Sequence, residues 1–72
     1  MINVNKLKGK IVERGLSVQD VAKAIGISTA SLYRKMDPSG STMYIHEAYE
    51  ISRVLKLTLD EVNAIFFADS VA

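Results

Sequence analysis

Cysteine is absent from the 72 residues. Its absence removes disulfides, thiolate zinc sites and thiol nucleophiles together. Histidine occurs once, as His46. A metal-binding or catalytic imidazole needs partners, and the neighbouring Glu47 points elsewhere on a helix, so His46 reads as a surface or helix-start residue. No Gly-rich phosphate loop and no Ser/His/Asp grouping is visible. A chain this short buries only roughly 60% of the surface its unfolded form exposes, which leaves too thin a core for a substrate pocket. These absences argue against an enzyme, and no metal, cofactor or small-molecule substrate is expected. No apolar run approaches the ~18 residues that span a bilayer. The opening Met-Ile-Asn-Val-Asn-Lys lacks the apolar stretch of a secretory signal. The expectation is a soluble, cytoplasmic protein with no membrane partner, forming one domain over residues 1–72.

Hydrophobic residues make up 49% of the chain, enough to build a core. The net charge of +1 hides a division along the sequence. Residues 1–36 carry Lys6, Lys8, Lys10, Arg14, Lys23, Arg34 and Lys35 against Glu13 and Asp20, a balance of +5. Residues 37–72 carry Arg53 and Lys56 against Asp37, Glu47, Glu50, Asp60, Glu61 and Asp69, a balance of −4. One half facing a polyanion would explain this; two ordinary solvated faces would as well. On the first reading the acidic half points away from the partner.

The punctuation is helical. Val4, Leu7 and Ile11 mark the apolar stripe of a first helix over Asn5–Arg14, stopped by Gly15. Ser17, with Asp20 three residues on, is a capping-box pair opening a second helix, Val18–Ile25. Gly26 ends it, and Ser28 caps a third, Thr29–Met36. The stretch from Asp37 to Thr42 holds Pro38, Gly40 and three hydroxyls and reads as a loop. A fourth helix is expected over His46–Leu55. Thr58 and Glu61 form the capping box of a fifth, Leu59–Phe67; Asp60 and Glu61 suit its N-terminal dipole, with an acid/base pair a remote alternative. No strand-like alternation occurs. The fold class is all-α, a compact five-helix bundle.

Only Gly26, Ile27 and Ser28 separate the second and third helices. A short glycine-containing turn of this kind makes a helix-turn-helix, here over residues 17–36. Ala22 must be small where the third helix crosses it, and Val21, Ile25, Ile27 and Leu32 plug the angle. The segment LSVQDVAKAIGISTASLYRKM is similar to the helix-turn-helix of the phage Cro/repressor-type transcription regulators. HEAYEISRVLKLTLDEV resembles that family's fourth and fifth helices, so the resemblance covers about Leu7–Phe67. It implies a lambda-repressor-like, sequence-specific DNA-binding domain whose partner is a double-stranded DNA operator. A second class stays open: a protein-interaction module, as in an antitoxin or antirepressor. Three departures stand out. Val18 replaces a glutamine that often touches DNA phosphate in the family. Ile11 and Met36 replace a buried arginine–glutamate pair, which avoids the desolvation cost of buried ions. Lys35 stands where many members have an aliphatic residue.

Helical geometry orients the third helix. At about 100° per residue, with Leu32 at 0°, Met36 lies at about 40° and Thr29 at about 60°, beside the buried side. Ala30 and Arg34 lie at about 160° and 200°, outward, with Tyr33 and Ser31 flanking. Thr29, Ala30, Tyr33 and Arg34 are therefore the candidate base-reading residues: arginine can grip a guanine edge bidentately and methyls can meet thymine. Ser17 and Gln19 at the second helix's N-terminus, and Ser31, Lys35 and Ser41 on the third helix and in the loop after it, with Ser39, Gly40 and Thr42 of that loop, are the candidate phosphate contacts. The plain alternative makes Ser17 only a cap and the loop only a connector. One helix cannot bury both Phe66 and Phe67 against the same core. An exposed aromatic beside Val71 suggests an interface, so Phe66, Phe67 and Val71 are the candidate contacts of a homodimer whose recognition helices lie about 34 Å apart.

Overall fold

Each helix begins where a side chain can bond the free N–H groups that a helix start leaves behind. In the computed structural model, which describes residues 2–39 and 41–67, Asn3 Oδ1 accepts from Lys6 N–H at 3.1 Å and opens α1, Val4–Glu13. Ser17 and Asp20 cap each other reciprocally at the start of α2, Val18–Ile25. Ser28 Oγ accepts from Ser31 N–H and opens α3, Thr29–Lys35. Tyr44 precedes α4, Ile45–Leu55, and the cap is supplied by the Glu47 carboxylate, which accepts the Tyr44 N–H at 2.9 Å. Thr58 and Glu61 form the capping box of α5, Leu59–Phe66. Among the described residues there is no strand, so the architecture is all-α, as the sequence implies.

Three helices end in the same way. At Gly15 (φ 73°) and Gly26 (φ 80°) the chain turns left-handed. The next amide then reaches back: Leu16 N–H to Ile11 O and Ile27 N–H to Ala22 O, both at 3.0 Å. These bonds satisfy carbonyls that the helix end would leave open. The third such end, after α4, uses Lys56 at φ 53°, with Leu57 N–H bonded to Ser52 O. Lysine tolerates this backbone less well than glycine, but its charge suits a helix C-terminus. Arg14 reinforces the same end from α1. Its Nε donates to Leu55 O at 2.7 Å and an Nη to Lys56 O.

Packing follows the apolar stripes. α2 lies against α3 and α4, and α1 against α2 and α5. Leu7, Val21, Leu32, Ile51, Leu55 and Ile65 are fully buried where these helices meet. Ala22 is also buried, consistent with α3 crossing close to it. Ile11 and Met36 both lie in this core. Ile2 joins it from outside any helix, held by Ile2 N–H to Pro38 O and Asn3 N–H to Ile65 O.

No boundary differs from the sequence expectation by more than one residue. α1 and α4 start one residue earlier, at Val4 and Ile45, and α1, α3 and α5 stop one residue earlier, leaving Arg14, Met36 and Phe67 as C-caps. Phe66 is 6% exposed and Phe67 40%. The two rings do divide between inside and outside, but Phe66 is the inner one, and that corrects its expected place in an interface. Gly40 and Val71, both named above, lie outside the described residues.

Candidate nucleic-acid interface

The outward side of α3 is set by Leu32, which has no exposed surface, and Met36, which is buried. Ala30, Tyr33 and Arg34 are exposed on the other side, Tyr33 by 55%. Thr29 and Ser31 are half-buried at the first turn. The one-dimensional angles therefore translate directly into exposure. An Arg34 Nη donates to Ser31 Oγ at 3.3 Å, which lays the guanidinium back along the helix. The face carries a planar fork of donors, a phenol, a methyl and hydroxyls, and no carboxylate.

At the start of α2 the capping box consumes part of what was expected to meet a phosphate. The Ser17 N–H is taken by the Asp20 carboxylate at 2.8 Å. That bond holds the Asp20 pKa below its ordinary value. Ser17 Oγ accepts from Asp20 N–H at 3.1 Å and keeps its own hydrogen to donate. The amides of Val18 and Gln19 are among those a helix start cannot bond internally. Gln19 is exposed, and Val18 packs partly against the core.

A family model described as the Cro/C1-type HTH DNA-binding domain matches residues 6–67. The chain belongs to this family. Its helix-turn-helix is α2, the turn Gly26–Ser28 and α3, and DNA binding is the activity the family shares. No match was found among curated proteins or among solved structures.

The flank of the DNA-binding motif corrects two charges. Lys35 is expected at the edge of α3 as a phosphate contact. Its side chain does lie at that edge, only 15% exposed, but its Nζ is 3.2 Å from Glu47 Oε1. It also donates to Thr42 O at 3.2 Å and lies over the Tyr44 ring. Lys10, expected to serve the basic half, is bonded to Glu61 across α1 and α5 and to Glu13 within α1. These bonds raise the Lys10 pKa, Glu61 contributing most. The Lys10 ammonium, with help from the Thr58 N–H, lowers the Glu61 carboxyl to about 2. The acidic half therefore does not simply point away: two of its carboxylates neutralise two lysines of the basic half. Lys6, Lys8, Lys23 and Arg34 form no salt bridge to a carboxylate among the described residues.

Sequence reasoning missed Tyr44 and Glu47. Tyr44 lines a cleft beside α3 with Ser31, Arg34, Lys35, Ser41 and Thr42. The Thr42 hydroxyl donates to Arg34 O at 3.3 Å. The available signal was a glutamate three residues after a residue that cannot cap. Ser41 is exposed, and its N–H bonds to Ser39 Oγ at 3.3 Å. His46 is exposed and stacks on Tyr44, 5.8 Å between ring centroids. Among the described residues, no helix is long and apolar enough to cross a membrane.

Proposed function

We propose that this Cro/C1-type chain is a sequence-specific transcriptional regulator that lays α3 in the major groove of an operator. The observation that carries the reading is the outward face of α3, where Ala30, Tyr33 and Arg34 stand clear of a helix anchored by the buried Leu32. Arg34 reads a guanine through its fork, Ala30 and Thr29 offer methyls to thymine, and Tyr33 contacts a base edge through its hydroxyl or ring. Ser17 O–H, the α2 N-terminal amides and Gln19 contact one phosphate, and Ser31 and Ser41 contact another strand position; these fix register without reading sequence.

The chain acts as a homodimer. Phe67 is 40% exposed at the end of α5, and Leu59, Tyr49 and Ile45 expose apolar surface on the same side. A pair of protomers joined there reads two half-sites about 34 Å apart.

Selection of bound duplexes from a random pool at low salt, followed by a salt titration on the selected site, tests the proposal. Log K falls on log salt by about 0.9 for each phosphate that a lysine or arginine neutralises, so the slope is clearly negative. Failure to enrich any sequence, or a flat salt dependence, refutes it and leaves the apolar α4–α5 groove as the site of a protein-interaction module.

A further inference from the structure

The corner between α3 and α4 is organised around a single carboxylate. Glu47 is 7% exposed, and its Oε1 accepts the Tyr44 N–H at 2.9 Å while lying 3.2 Å from Lys35 Nζ. The ammonium is held on other sides by Thr42 O at 3.2 Å and by the Tyr44 ring, 5.0 Å to its centroid. Thr42 in turn donates its hydroxyl to Arg34 O. The last turn of α3, the loop after it and the first turn of α4 are thereby bonded into one unit. Arg34 belongs to that last turn.

On this geometry we infer that Glu47 is a positioning residue for the DNA-reading helix: it holds Lys35 as a strut between α3 and α4 and keeps that charge off the DNA backbone. The inference rests on the DNA-binding reading above. Lys35 lies about 100° round the helix from Arg34, towards the core rather than the outward face. To clamp a phosphate it would have to leave Glu47, stranding a carboxylate in a closed corner close to a second anion, which is unfavourable twice over. A cation already neutralised by the protein also releases few counterions on binding, because its charge does not replace them.

The test compares the full chain with Glu47→Gln and Lys35→Met. Glutamine keeps an oxygen to accept the Tyr44 N–H but loses the charge, and methionine keeps an apolar stem. Affinity is measured by fluorescence anisotropy over a fourfold range of salt, on a duplex selected by the wild type and on a scrambled one, with folding followed by circular dichroism. Glu47→Gln frees the Lys35 ammonium, so the slope of log K on log salt steepens by about 0.9 per protomer, equivalent to about 3.5-fold over that range. The scrambled duplex gains more than the selected one, and the ratio between them falls. Lys35→Met leaves the slope unchanged and lowers the melting temperature. A slope flattened by about 0.9 per protomer in Lys35→Met overturns the inference, since Lys35 then contacts phosphate. An unchanged slope in a folded Glu47→Gln overturns it equally; if that variant does not fold, Lys35→Met decides alone. Failure of the underlying reading looks different: the wild type then binds neither duplex at low salt.

Discussion

Replacing Arg34 by alanine separates base reading from general affinity. The side chain is exposed on the outward face of α3, and its bond to Ser31 Oγ, at 3.3 Å, is an exposed contact one turn away. Losing that contact should change folding stability by less than about 0.5 kcal/mol, as for most surface substitutions. On the operator the loss is larger. A bidentate arginine–guanine pair is worth about 1–3 kcal/mol of discrimination, or about 5- to 150-fold at each half-site. Two half-sites lose it together, and separated positions add roughly. Anisotropy titrations on a matched and a scrambled duplex give the specificity ratio directly, with circular dichroism confirming the fold. The expected result is a large loss on the matched duplex, a small one on the scrambled duplex and relaxed preference at one base pair per half-site. If affinity for both duplexes falls in parallel and the salt slope flattens by about 1 per protomer, Arg34 is a phosphate clamp. The orientation of α3 in the groove is then wrong, and Tyr33 or Thr29 inherits the base-reading role.

Other perturbations probe the scaffold. Leu32→Ala removes a fully buried side chain from between α3 and the core, at a cost of about 2–5 kcal/mol; thermal melts should show a chain largely unfolded at ambient temperature, with binding to both duplexes lost together. Phe67→Ala trims a half-exposed ring outside the core, so the fold should persist while sedimentation equilibrium shifts towards the monomer and operator affinity drops; an unchanged mass and affinity would remove the α5 interface. Glu61 is held at about 2 by Lys10 and the Thr58 N–H. A depressed carboxyl stabilises the fold above its unfolded pKa and loses that contribution as pH falls through the folded one. Melting temperature should therefore decline between the usual carboxylate range and pH 2, and Glu61→Gln should lower the neutral-pH value and flatten that acid limb.

The elements that sequence reasoning located well are those whose signals are local. Ser17 with Asp20 and Thr58 with Glu61 cap within three residues, and the starts of α2 and α5 fall where these pairs place them. Gly26 closes α2 because it alone of the neighbouring residues takes a positive φ without strain. The starts of α1 and α4 were less legible for different reasons. Asn3 is an ordinary N-cap residue but sits next to a valine readily taken for lead-in. Tyr44 has no capping side chain, and the bond comes back from Glu47. The end of α4 is marked by Lys56, a residue whose composition carries no stop signal. Ile2 is buried only because its backbone is tied to Pro38 and Ile65, contacts that no periodicity within the first helix contains. The exposure of Ala30, Tyr33 and Arg34 was legible because one buried residue, Leu32, sets the angle of the whole helix.

The charge division illustrates the opposite case. Along the sequence the two halves look like separate poles, but Lys10 meets Glu61 and Lys35 meets Glu47 once the chain is folded. Partners 51 and 12 residues apart leave no mark in local composition. The consequence bears on how such a domain discriminates. Non-specific affinity for DNA is set by the number of phosphates neutralised, whereas specificity comes from contacts to base edges. Every lysine paired within the protein lowers the first without touching the second. On the helix-turn-helix this leaves Lys23 and Arg34 without a salt bridge among the described residues, and of these only Arg34 stands on the outward face of α3. A protein that binds as proposed would thus hold scrambled DNA weakly, and the difference between operator and background would rest on a few side chains of one short helix.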